Sequence, residues 1–450
     1  MQTEILNNFN NNIKFISYKD FDLWDVKRYV AERMKSDFPV VKLGLYIQEE
    51  SHKVKLYDFP EEEFGILGVN NKIGIFEAYK EKGANINQAY KRMEKGWLAY
   101  NPYRVNVGSI GMRTEEHKHE YISPAYVVFR CKENLMPDFL YKLFKTERFN
   151  KLIRENTTGS VRQNLTFDIL KSLDIALPSP NEQNSILKEY YKKIKEADKF
   201  EIQISEIENK IESIILKELG LVLPPEKFIN KGLQIFNFKS LLRWDVLSND
   251  ARIQQYLSNA KFPLKPIGNK FKFINRSWQK RKLSNTKFNY IEIGSIDPVL
   301  GILKSTSLEV SEAPSRATQT VKTGDLIIGT TRPYLKKFAL IKSEFDGDVC
   351  SSGFSIIENS DEYNLFFLKE FLMSYYGIEQ MKNRMTGGSY PAITTTELKE
   401  LRIPLPPLEV QDLIGNKIKE LRTKMISLIN NSEENRNTAI KEFEQAIFKN

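Results

Sequence analysis

Residues 157–186 read TTGSVRQNLTFDILKSLDIALPSPNEQNSI, and residues 385–414 read MTGGSYPAITTTELKELRIPLPPLEVQDLI. Laid over one another 228 positions apart, they coincide at Gly159/Gly387, Thr166/Thr394, Leu170-Lys171/Leu398-Lys399, Leu173/Leu401 and Ile175/Ile403. They coincide again at Leu177-Pro178/Leu405-Pro406, Gln183/Gln411 and Ile186/Ile414. The same offset pairs Gly96 with Gly324, Arg104 with Arg332, Ser123 with Ser351, and Phe139-Leu140 with Phe367-Leu368. Near the start of each half it falls to 220, where Trp24-Asp25-Val26 meets Trp244-Asp245-Val246, as a single length difference requires. Chance matches would scatter over many offsets, whereas a chain built twice on one plan keeps them at one.

Working outward, each copy has the same internal order. A mixed region with short strand-like runs, such as 126–129 and 325–328, comes first. Prolines then stop it (Pro178 and Pro180 in one copy, Pro406 and Pro407 in the other) and open a long helix. In the first helix Ala197, Phe200, Ile204, Ile207, Ile211 and Ile214 recur in steps of three and four, a coiled-coil seam. In the second, Ile418, Leu421, Met425 and Leu428 continue a seam that Ser432 and Asn435 interrupt. Neither stripe is stable facing water. The expected fold is α+β: two tandem mixed α/β domains, each followed by a long helix, with the helices paired as an antiparallel coiled coil about a pseudo-two-fold. The alternative is a helix packed on its own domain. The expected boundaries are 1–180 for the first domain, 181–222 for its helix, 223–232 for a linker, 233–407 for the second domain and 408–450 for the last helix.

Composition narrows the class. The chain has 450 residues, enough for several domains, with 41% hydrophobic and 28% charged residues. No stretch approaches the roughly 20 apolar residues of a membrane helix. The Asn-rich first twelve residues lack a signal-peptide core, and two cysteines, Cys131 and Cys350, cannot build a disulfide scaffold. The expectation is a cytoplasmic protein. A net charge of +9 suits a surface that displaces counterions from a phosphate backbone, and equally suits an ordinary basic protein.

The tandem plan, with Gly159…Leu177-Pro178…Gln183 repeated as Gly387…Leu405-Pro406-Pro407-Leu408-Glu409…Gln411, resembles the specificity (S) subunits of type I restriction–modification enzymes. The resemblance covers essentially the whole chain. The first copy departs from the pattern, with Ser179-Pro180-Asn181 in place of Pro407-Leu408-Glu409. It implies two target recognition domains, each reading half of a bipartite double-stranded DNA target. It further implies a helix pair that sets the gap and docks two methyltransferase (modification) subunits, with restriction/translocase subunits joining them. The chain itself would be non-catalytic and bind no cofactor; S-adenosylmethionine, ATP and Mg would sit on the partners. The competing readings are a coiled-coil adaptor with no DNA role and a self-sufficient methyltransferase. Against the second, Asn101-Pro102-Tyr103 lacks the second proline of an amino-methyltransferase motif, and no glycine-rich cofactor loop accompanies it.

Three loop clusters carry the side chains expected of DNA contacts. Arg276, Trp278, Lys280, Arg281 and Lys282 combine four cations with an indole; a solvated loop anchored by Trp278 is the plainer reading. Arg332, Tyr334, Lys336 and Lys337 form the second cluster, with Arg104 as the repeat partner of Arg332. Arg332 and Arg104 would grip the backbone or pair with carboxylates. Ser160, Arg162 and Gln163 in one copy, and Ser389 and Tyr390 in the other, sit on glycine-bearing loops that are otherwise simple turns before the next helix. His117-Lys118-His119 beside Glu115 and Glu116 reads as a solvated loop more readily than as a metal site.

Overall fold

The structure is a computed structural model that describes residues 35–104, 108–156, 164–225, 252–279 and 287–449. The Trp24 and Trp244 segments, Gly159, Ser160, Arg162, Gln163, Lys280, Arg281, Lys282 and the linker beyond residue 225 lie outside the described residues. The chain divides into two compact units, Met1–Asp198 with Ser432–Asn450, and Lys199–Asn431. Each long helix contributes to both units.

In the first unit, Val127–Cys131 is rich in branched and aromatic residues, which favour a pleated, half-buried surface. It lies between Ile47–Glu49 and Leu98–Tyr100 in a four-stranded antiparallel sheet completed by Ile110–Met112. A five-stranded sheet runs Lys53–Val54, Tyr90–Arg92, Tyr121–Ile122, β1 (Glu63–Asn70) and β2 (Gly74–Lys82). Its one parallel pair joins β1 to Tyr121–Ile122. The second unit repeats the arrangement. Phe354–Ile357 and Leu326–Gly329 centre a four-stranded antiparallel sheet, and Lys287–Ile291 pairs in parallel with Val349–Ser351 in another.

Several residues that coincide in sequence do the same work in both units. Gly96 and Gly324 have φ of 80° and 86°, a region open to glycine, and their N–H groups donate to Arg113 and Ile341 carbonyls at 2.8 Å. Thr166 and Thr394 cap short helices, accepting from Ile169 and Glu397 N–H. Leu177 and Leu405, just before the prolines, donate to Pro39 and Pro263 carbonyls at 2.9 and 3.0 Å.

The glutamines have the clearest role. In the first unit α1 (Pro137–Leu143) starts beside the N-terminus of α2 (Pro180–Leu219). Buried Gln183 accepts from Met136 N–H (2.9 Å) and donates to the Pro178 carbonyl (2.8 Å). In the second unit α3 (Leu365–Met373) meets α4 (Leu408–Ile447) in the same way. There Gln411 accepts from Asn364 N–H (3.0 Å) and donates to the Pro406 carbonyl (2.9 Å). One side chain thus satisfies orphan groups at two helix starts, which would be costly to bury unpaired.

A capping box between Ser179 and Glu182 opens α2. Gly220, at φ 68°, closes it in a Schellman turn in which Leu221 N–H donates to the Leu216 carbonyl (2.7 Å). In the first unit, Lys193 pairs with Glu442 and Asp198 with Arg436, so the two helix segments there run antiparallel. Phe443 packs on Phe139 and Tyr190. Ser432, the polar break in the seam, is buried and donates to the Ala197 carbonyl.

In the second unit Ile207, Ile211, Ile215 and Leu219 share one apolar cluster with Ile414, Ile418, Met425 and Leu428, and Lys417 pairs with Glu218. Ile214 is half-buried and Ile215 takes the buried place, while Phe200, Ile204 and Leu421 are half-buried. The cluster also contains Leu368, Leu372 and Tyr376 from the globular part, and this second neighbour draws the buried stripe onto every fourth residue. Arg422 reaches from α4 to fully buried Glu370 on α3, which Lys369 also contacts. Among the described residues, no helix is long and apolar enough to cross a membrane.

Candidate nucleic-acid interface

Past the strand Leu326–Gly329 the chain turns left-handed twice, at Arg332 (φ 49°) and Lys336 (φ 54°). Such backbone costs a residue with a side chain roughly 1–3 kcal/mol and persists only where its surroundings hold it. Here Arg332 N–H donates to the Pro391 carbonyl (2.8 Å), Ile393 N–H to the Thr330 carbonyl (3.0 Å), and Gly329 N–H to the Lys337 carbonyl (2.9 Å). These bonds merge two loops that the sequence presents separately. Arg332 Nη2 donates to the Ser389 carbonyl (2.8 Å), and its guanidinium carbon lies 4.7 Å from the centre of the Tyr390 ring. Tyr390 is 72% exposed, so the stacked pair stands at the surface. Arg332 Nε is buried with no hydrogen-bond partner among the described residues. Tyr334 is exposed on the same loop.

Of the two neighbouring lysines, one is engaged within the fold. Lys337 donates its ammonium to the Ile296 carbonyl. Lys336 lies near Glu212 of α2. Burial pushes the Glu212 carboxyl up, while the Tyr375 N–H that it accepts (3.0 Å) and the Lys336 charge pull it down.

In the first unit the equivalent loop carries exposed Tyr103 and Arg104. Asn101 Oδ1 accepts from Tyr103 N–H (3.0 Å), and Arg104 N–H donates to the Asn101 carbonyl (3.0 Å). Leu165 N–H donates to the Pro102 carbonyl at 3.0 Å. That bond is the repeat equivalent of Ile393 to Thr330, so each unit stitches its arginine loop to the segment that follows its glycine loop.

The first predicted cluster fares differently. Arg276 is ion-paired to buried Asp325 and to Glu358 (3.1 Å), which hold its guanidinium charged and above its ordinary range. Trp278 stacks on Phe288 at 4.5 Å in a cluster with Tyr290, Ala317 and Val349. Both side chains tie the fold together. The histidines are likewise occupied: His117 contacts Thr114 and the Ile75 carbonyl, and His119 the Ile66 carbonyl.

Sequence reasoning missed two hairpin tips beside these loops, at 70–74 and 297–301. The available signal was an Asn or Asp with glycine four residues on, between strand-like runs: Asn70…Gly74 and Asp297…Gly301. Chemically, an arginine stacked on an exposed tyrosine offers planar donors and a π-face, which suit phosphate and base contacts alike.

Residues 258–436 match the family described as "Type I restriction modification DNA specificity domain". Two specificity subunits of Methanocaldococcus jannaschii type I restriction enzymes are similar. The MjaIX subunit is 27% identical over 29% of this chain, a match that spans about a third of that relative's length. The MjaVIII subunit is 21% identical over 86% of this chain and 87% of its own. A solved chain, described for complex assembly and conformational transition of the type I R-M system, aligns over 92% of this chain and 99% of its own. It has a TM-score of 0.48 and 14% identity.

Proposed function

We propose that this chain is a specificity subunit of the type I restriction–modification kind, and that it selects DNA sequence for a methyltransferase complex by reading one half-site with each unit. One observation carries the two-reader form: the same backbone bonds, Leu165 to Pro102 and Ile393 to Thr330, hold loops whose tips differ. Tyr103 and Arg104 stand on one, and Arg332 stacked on Tyr390 on the other. Readers of two different half-sites need a constant frame and variable side chains.

The two 40-residue helices are the proposed spacer, an antiparallel coiled coil about 60 Å long that sets the gap and docks two methyltransferase subunits. The tandem recognition domains at about 1–180 and 233–407 are then the exchangeable parts. The chain is proposed as non-catalytic. S-adenosylmethionine, and ATP with Mg where a restriction subunit joins, would be held by the partners.

The test is to reconstitute the chain with its methyltransferase partners and map the methylated motif. A bipartite motif with a fixed gap is expected. Replacing residues 233–407 with those of a relative should rewrite one half of the motif, and a change in both halves would refute the two-reader arrangement.

A further inference from the structure

In the first unit β1 and β2 join through Asn71, Lys72 and Ile73. Asn70 Oδ1 accepts from both Lys72 and Ile73 N–H (2.9 Å each), Asn70 pairs with Gly74, and Gly74 has φ 78°. The second unit builds the same turn from other residues. Asp297 Oδ1 accepts from Val299 and Leu300 N–H (2.8 Å each), Asp297 pairs with Gly301, and Gly301 has φ 84°. Three residues followed by a left-handed glycine make a tight hairpin, and the carboxamide or carboxylate braces it from within.

Each hairpin is also fastened to the arginine loop of its own unit, from equivalent positions. Ser109 Oγ donates to the Val69 carbonyl (3.3 Å), and Lys337 Nζ, at the same place in the repeat, donates to the Ile296 carbonyl. In the first unit the approach is so close that a Cβ on Gly111 would lie 2.2 Å from Ile75 N. A braced hairpin is thus fastened to the loop that carries Tyr103 and Arg104 in one unit and to the loop that carries Arg332 in the other. The frame is held constant while the tips diverge: Asn71-Lys72-Ile73 against Pro298-Val299-Leu300. Ile73 is 65% exposed, an apolar branched side chain in water next to a cation.

We propose that the hairpin tip of the first unit is a sequence-determining element, reaching into a groove of double-stranded DNA next to its arginine loop. Lys72 supplies a charge to phosphate or a base edge, and Ile73 an apolar contact to bases. The tip of the second unit is uncharged and half-buried, with Val299 packed against the apolar core of its own unit. This inference rests on the DNA-reading function proposed above.

The experiment uses the full chain in its reconstituted methyltransferase complex. Lys72→Ala with Ile73→Ala should relax the methylated motif at one half-site, leave the other half unchanged, and weaken binding about tenfold at the native target. The salt slope of binding should fall by about one with Lys72→Ala. Exchanging the first tip for the second (N71P/K72V/I73L) keeps the turn, because that sequence already occupies the same backbone in the second unit, and should shift base preference at the same half-site. Unchanged motif and affinity in both tip variants, while Arg332→Ala still alters the opposite half-site, would overturn the inference and leave the two-reader function standing. A wild-type complex with no sequence preference at all would take both down.

Discussion

Replacing Gln183 or Gln411 by methionine tests whether one side chain fastens each long helix to its own globular part. Both glutamines are buried, at 0% and 3% exposure, so methionine fills a similar volume without the polar ends. Gln183 makes three bonds: to Pro178 at 2.8 Å, to Asn134 at 2.7 Å, and from Met136 at 2.9 Å. Gln411 makes the equivalents of two of these, to Pro406 at 2.9 Å and from Asn364 at 3.0 Å. At about 1 kcal/mol per bond, Gln183→Met should cost about 3 kcal/mol and Gln411→Met about 2, more where the stranded backbone group cannot reach water. Gln183→Glu should be worse than methionine, because it keeps the acceptor for Met136 but turns a carboxylate toward two carbonyl oxygens. Amide hydrogen exchange reads each unit separately. The Met136 amide should lose protection in the first variant and the Asn364 amide in the second. Intact protection at those amides, or equal loss in both units from either substitution, would refute the clamp.

Glu370→Ala should cost roughly 3–5 kcal/mol in unfolding experiments, since it leaves Lys369 and Arg422 without their buried counter-charge. Burial alone would raise the Glu370 carboxyl, but Lys369 and Arg422 outweigh it and hold it below the ordinary range. Its stabilisation is therefore present above the unfolded value, about 4.3, and lost as pH falls through the folded one. Acid titrations of wild type and Glu370→Gln should converge as pH drops below that range; parallel curves throughout would count against the triad. Arg332→Ala and Tyr390→Ala, each removing one half of the stack, should each weaken target binding about fivefold or more with little loss of stability, and the double variant should fall short of the summed effects. Gly268→Ala should destabilise the second unit, because its new Cβ would sit 2.6 Å from the Lys399 Cβ; an unchanged melting temperature would argue against that close approach.

Much of the frame is written locally. Prolines 178 and 180 mark the start of α2 in the sequence, and the Ser179–Glu182 box and Gly220 that the structure adds act by backbone preferences within a few residues. The 228-residue recurrence needed only the letters, and the hydrogen bonds of Gly96, Thr166, Leu177 and Gln183 explain why those letters were kept. The site was less legible, because what a side chain does depends on what long-range pairing sets beside it. Arg276 and Arg332 look alike in sequence, yet strand register gives the first a buried carboxylate and the second an exposed ring. Ile215 displaces Ile214 from the buried row because the helix meets a globular core as well as a helix. Periodicity along one helix carries no information about that second neighbour. The sequence alone thus determined the elements and their duplication, whose causes lie within a few bonds of backbone. Only the tertiary structure decided which loops meet, which charges are neutralised and which tips stand free, because those depend on contacts between residues far apart along the chain.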